Sequence, residues 1–189
     1  MAELTVLLIR HAEKPEGSWP GPGLDASGTP DSRSLVIRGW QRAGAWAALF
    51  GSGAPSDDYP RPTAIYAANP IVQDRAPDPS RRPHQTIVPM ADRLQIEPNT
   101  DFAKGDEREL AAAVAERTGV ILISWEHKAI AKSLLPALLG GQDGPAVPSQ
   151  WNDARFDVVL RLDRPDAASA WSFRQLFPRL LSGDTDVPL

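Results

Sequence analysis

The chain has 189 residues, 42% of them hydrophobic, which suits one domain with a sizeable core. Its 20 Lys and Arg stand against 24 Asp and Glu, so no basic field draws it to nucleic acid or an anionic membrane, and any anion site must be local. Cysteine is absent, which excludes disulfides, thiolate zinc sites and thiol nucleophiles, and no apolar stretch approaches the ~20 residues of a membrane span.

Residues 4–9 are apolar or β-favouring and run into Arg10 and His11, with Glu13 two places on. So short and apolar a run predicts a strand covered on both faces, and such sheets place their chemistry at the carboxyl ends of the strands. Residues 14–34 carry Pro15, Pro20, Pro22 and Pro30 among several glycines and predict a long irregular loop, of the kind that forms a functional rim. Trp40, Ala43, Ala47 and Phe50 recur at helical spacing and predict a helix over 38–50, stopped by Gly51-Ser52-Gly53. Residues 64–68 predict a short strand. Pro83 suits a first helical turn, and Ile87, Met90, Ala91 and Leu94 extend that helix over 82–94.

A third helix is predicted over 106–117, closed by Gly119, with Leu110 and Val114 facing inward. Residues 120–125 predict a second buried strand, ending in Glu126-His127. Ile130, Leu134 and Leu138 mark a helix over 128–139, stopped by Gly140-Gly141, and 156–162 and 169–173 predict two more strands. Strands alternating with helices predict an α/β fold: one domain over residues 1–189, a three-layer α/β/α sandwich with a mainly parallel central sheet.

Two buried strands therefore end in an imidazole, at His11 and His127, and Arg81 and Arg82 sit at a helix start. Helix N-termini favour anions, and a guanidinium fork holds two phosphate oxygens at once. If the three segments converge, they form a phosphoryl-transfer pocket with one nitrogen free to attack phosphorus.

Arg10-His11-Ala12-Glu13 resembles the Arg-His-x-Glu signature of the histidine phosphatase superfamily, the phosphoglycerate-mutase-like proteins. The likeness extends to Leu35-x-x-x-Gly39-x-x-Arg42-Ala43, to Arg82-x-x-Gln85-Thr86 and to Ile121-Leu122-Ile123-Ser124-x-x-His127, in the family's order. The resemblance points to the small phosphatase branch and a phosphoglycerate-mutase-like fold. It implies that His11 is a nucleophile forming a phosphohistidine, that Arg10 and Arg82 bind the phosphoryl group, and that His127 stabilises the transition state. Arg82 rather than Arg81 follows from its place four residues before Thr86. The resemblance places a general acid between the second arginine and the second histidine. Glu107 is the first choice, Asp106 and Glu126 are rivals, and some short members have none. Alternation along a strand would turn Glu126 away from His127.

The expected activity is phosphomonoester hydrolysis without metal or organic cofactor, on a small-molecule phosphate ester or a phosphorylated substrate. The alternatives are mutase-type phosphoryl transfer and a non-catalytic phosphate binder. A metal enzyme using His11, Glu13 and His127 is disfavoured, because their spacing matches no common helical zinc motif and the arginines beside the histidines would repel a cation. Trp19, in the proline-rich loop, is the candidate aromatic substrate contact. Glu13 and Arg42 are read as structural, and His84 as a rim residue. The N-terminus lacks a basic region followed by a signal-type apolar run, so a cytoplasmic protein is expected.

Overall fold

The computed structural model describes residues 3–52, 56–71, 80–140 and 144–189. Five strands, β1 (Leu4–Arg10), β2 (Ala64–Ala67), β3 (Gly119–Trp125), β4 (Val159–Arg164) and β5 (Ser172–Leu176), form one sheet in the order β2-β3-β1-β4-β5. Helices α1 (Ile37–Gly51) and α2 (Arg82–Leu94) cover one face. On the other lie α3 (Glu107–Ala115) and a helical stretch made of α4 (His127–Ala129), a π-helical turn (Ile130–Leu134) and α5 (Leu135–Leu139). This is the three-layer α/β/α arrangement expected.

Side-chain alternation builds the layers. Leu7, Ile9 and Leu122 pack with Trp46, Phe50, Ile87 and Met90 of α1 and α2. Leu4, Val6, Leu8, Ile121, Ile123 and Trp125 pack with Leu110, Val114, Leu134 and Leu138 on the opposite side. Every residue of β1 is buried, as its unbroken apolar pattern requires.

The sheet is only partly parallel. β1 and β2 each pair parallel with β3, but β4 is antiparallel to both β1 and β5. The seven residues between β4 and β5 hold no crossover helix, and without one the chain can only double back. Both terminal strands also start three residues later than predicted, and at β4 the reason is that Phe156 and Asp157 serve the site and its flank instead of the ladder. Gly119 does not close α3, which ends at Ala115. With φ of 83° it opens β3, where a Cβ would stand 2.8 Å from Thr63 Oγ1. Gly51 ends α1 and Gly140, at φ of 69°, caps α5, while Gly53 and Gly141 lie outside the described residues. The π-helical turn precedes Pro136. Proline offers no N–H to the carbonyl four residues back, and the Leu135 N–H reaches instead to Ile130 O.

Gly39 sets the approach of α1 to the first strand's end. A Cβ there would lie 2.6 Å from the Glu13 carbonyl oxygen, whereas one at Gly44, on the same helix, would meet nothing within 4 Å. Gly39→Ala should therefore cost about 1–3 kcal/mol of stability through overpacking. Gly44→Ala should be neutral or add up to about 1 kcal/mol through helix propensity. Urea midpoints of the two variants against the parent protein check both.

Candidate active site

The parallel pairing of β1 with β3 sets Arg10 beside Trp125, and the His11 N–H extends it by bonding the Trp125 carbonyl at 3.0 Å. The two strands thus end level, and the residues just beyond them meet. The His11 and His127 rings lie 6.5 Å apart between centroids, with their planes at 80°. The start of α2 is drawn to the same place by Thr86. Its hydroxyl accepts the Ala12 N–H at 2.8 Å and donates to the Arg82 carbonyl at 2.7 Å.

His11 is buried, and its Nδ1 lies 2.8 Å from the Ala12 carbonyl oxygen. A carbonyl only accepts, so Nδ1 carries the proton and the neutral ring keeps its lone pair on Nε2. Burial, then the charge of Arg10, pushes the imidazole pKa down to about 3. The ring is therefore uncharged across the physiological range, in the tautomer of a nitrogen nucleophile.

Arg10 is fully buried. Its Nη1 donates to the carbonyls of Asp153 and Arg155 at 2.7 and 3.0 Å, and more weakly to that of Asn152 at 3.4 Å. The guanidinium lies 3.8 Å above the Phe156 ring. Its Nε and Nη2 have no acceptor among the described residues. Burial lowers its pKa to about 10, opposed by the charges of Asp153 and Glu126. Two desolvated cationic donors beside a neutral imidazole are an anion site in waiting.

Arg82 opens α2, and its Nη2 donates to the Ser32 carbonyl at 3.2 Å. Its charge acts on both Arg10 and His11, lowering the pKa of each. Arg81 instead turns to Asp31, 3.5 Å away. The structure thus brings Arg10, His11, Arg82 and His127 together.

The sequence did not mark Asp153. It lies in the loop that follows Trp151, and its Oδ1 contacts His127 Nε2. That hydrogen bond holds the Asp153 carboxyl below the usual carboxylate range. Asp153 and Phe156 lie in an aperiodic stretch, so only the fold shows them near the histidines. Glu126 does not face away from His127, because the strand stops at Trp125 and a helix begins. The carboxylate caps that helix, accepting from the N–H groups of Lys128 and Ala129, and its Oε1 lies 2.8 Å from His127 Nδ1. Burial alone would raise its pKa, but the hydrogen bonds from His127, Lys128 and Ala129 outweigh burial and hold it ionised.

The other candidates lie around this centre. Glu107 is buried at the start of α3, where its Oε1 accepts from Trp125 Nε1 at 2.9 Å and the Gly105 N–H at 3.0 Å. Asp106 accepts the Ala103 N–H at 2.9 Å. Trp19 stacks under the Arg38 guanidinium at 4.2 Å. His84 is partly buried, and the acids acting on it are Glu97 and Asp92. Glu13 and Arg42 form a buried ion pair at 2.8 Å, shared with Asp184 at the same distance, as their structural reading expects. Among the described residues no group of three His, Asp or Glu side chains could hold a metal ion. No described helix is long and apolar enough to cross a membrane.

No family model matches the sequence. No curated protein matches it either. Solved structures do. One described as mycobacterial hydrolase 2 is 13% identical, with a TM-score of 0.51 over 92% of this chain and 90% of that one. The protein histidine phosphatase SixA, solved with tungstate, is 14% identical, with a TM-score of 0.53 over 92% of this chain and 97% of its own. These likenesses show the fold: the chain shares that of the protein histidine phosphatase SixA.

Proposed function

We propose that the protein is a phosphomonoester hydrolase working through a phosphohistidine at His11. The observation that carries this reading is the pairing of a buried, neutral His11, its Nε2 lone pair uncommitted by tautomer, with the two desolvated donors of Arg10. The fold shared with SixA, which was solved with an oxyanion bound, supports it.

In this reading Arg10 and Arg82 hold the phosphoryl oxygens and neutralise the charge that develops on them. The His11 Nε2 lone pair forms a P–N bond as the ester P–O bond breaks, and the alcohol leaves with that electron pair. His127 bonds a phosphoryl oxygen from the other side. Water then attacks phosphorus, the P–N bond breaks, and inorganic phosphate leaves with Nε2 restored. Leaving groups stable as anions need no acid. Glu126 is held ionised at a helix cap, and Glu107 positions Trp125 and Gly105 through its own hydrogen bonds.

His11→Ala should abolish turnover of an aryl phosphate, while His84→Ala should retain it. Rapid quench of the parent protein with labelled substrate should trap an acid-labile, base-stable adduct. Equal activity of the two variants would overturn the assignment.

The tautomer has its own test. In 15N NMR of the ligand-free protein, the His11 ring nitrogens should keep a neutral, Nδ1-protonated signature from pH 8 to pH 5. Protonation near pH 6.5, the ordinary histidine value, would contradict the buried geometry.

In this reading His127 bonds the phosphoryl oxygen through Nε2, which Asp153 holds, so an arriving anion must displace its carboxylate. Asp153→Asn should therefore lower the inhibition constant of inorganic phosphate by roughly two- to fivefold, the range of an exposed charge contact. A competitive inhibition series against an aryl phosphate measures it.

A further inference from the structure

A cavity of about 400 Å³ opens on the outer side of His127, lined by Lys128, Lys132, Ser149, Gln150, Trp151 and Asp153. Asp153 belongs to both spaces. One of its oxygens contacts His127 Nε2, and the same oxygen lies 3.9 Å from the Lys128 ammonium. A ligand bonded to His127 therefore has this cavity beside it, with an ammonium within one ion-pair distance of the bonded atom. Lys128 and Lys132 stand one helical step apart, four residues along the chain, and both are exposed. Lys132 has no acid within ion-pairing distance among the described residues, and Lys128 shares the singly charged Asp153. In a chain of net charge −4, two lysines against one carboxylate make this wall a local positive field. Trp151, almost wholly buried, gives the cavity an apolar floor, and the Ser149 and Gln150 segment supplies its polar rim.

We propose that this cavity is the leaving-group subsite, and that it selects phosphate esters whose alcohol carries a second oxyanion, held by Lys128 and Lys132. The proposal rests on the hydrolase reading above, since it places the ester's phosphoryl group against His127 and its alcohol outward. The wall binds charge without geometry of its own: lysine ammoniums are point donors, so a carboxylate and a further phosphate satisfy them alike. The preference also depends on screening and weakens as salt rises.

The test uses two isosteric esters, 3-carboxyphenyl phosphate and 3-carbamoylphenyl phosphate, which differ by one charge in the leaving group. The parent protein should favour the carboxylate in kcat/KM. Lys128→Gln and Lys132→Gln should each reduce that ratio by about threefold, and the double variant by about tenfold, in line with exposed charge contacts. Each ratio is taken within one protein, so altered folding cancels. The same pair is measured by calorimetric binding to His11→Ala with and without the two lysine substitutions. A carboxylate preference lost with the lysines supports the subsite. Equal affinity for both esters, no detectable binding of either, or a preference indifferent to the lysines overturns it. Failure of the parent protein to hydrolyse either ester would instead overturn the hydrolase reading, and hydrolysis by His11→Ala its phosphohistidine step, and so these failures are separable from that of the subsite.

Discussion

The pocket depends on two parallel strands that stop at the same level. Because β1 and β3 are neighbours in register from Leu4 and Gly119 to Arg10 and Trp125, the first residues past each strand cannot avoid one another. Nothing in the imidazoles themselves draws them together. Burial of twelve of the fourteen ladder residues, apolar with few exceptions, does so, and its hydrophobic free energy exceeds the cost of placing polar groups at the end. The candidate site is thus mounted on two strands buried along most of their length, an arrangement that holds side chains to narrow tolerances.

That arrangement has an electrostatic consequence. Arg10 is held by backbone carbonyls and an aromatic face, none of which neutralises a full charge. Its nearest acids, Asp153 and Glu126, are engaged with His127. The guanidinium remains a desolvated cation of unsatisfied hydrogen-bonding capacity, and its field adds to the burial that chiefly depresses the pKa of His11. By contrast Arg42, equally buried, is fully partnered by Glu13 and Asp184. Two arginines in similar burial therefore differ in purpose: one closes a structural network and the other keeps donors for an anion.

Much of this was legible in the residues, where local pattern and tertiary role coincide. The unbroken apolar runs of β1 and β3 carry their burial openly, and the spacing of Ile87, Met90 and Leu94 gives the inner face of α2. Thr86, four residues past Arg82, signals the register that faces Arg82 inward and leaves Arg81 to Asp31. Strand direction was less legible, because the apolar residues of β4 look the same read either way and the short link to β5 sets only how those two strands run against each other. The part played by Asp153 was not legible at all. Its loop has no period, and its carboxylate reaches His127 only because β4 returns beside β1. Glu126 shows the opposite failure, since alternation held to the last residue of the strand and ceased one residue before it mattered.

The C-terminal segment joins parts of the molecule distant in sequence. Asp184 clamps Arg42 and, through it, Glu13 just past the carboxyl end of β1. One residue later the Thr185 N–H bonds Asp157 at 2.8 Å, and Arg155 reaches the carbonyl of Val187. Arg155 and Asp157 flank Phe156, on which Arg10 is stacked. A single peripheral strap is therefore buckled to both flanks of the oxyanion cradle. Fraying of this strap would slacken the grip on the nucleophile's side and the guanidinium's side together, two flanks that also meet where the His11 ring stands 6.3 Å from that of Phe156.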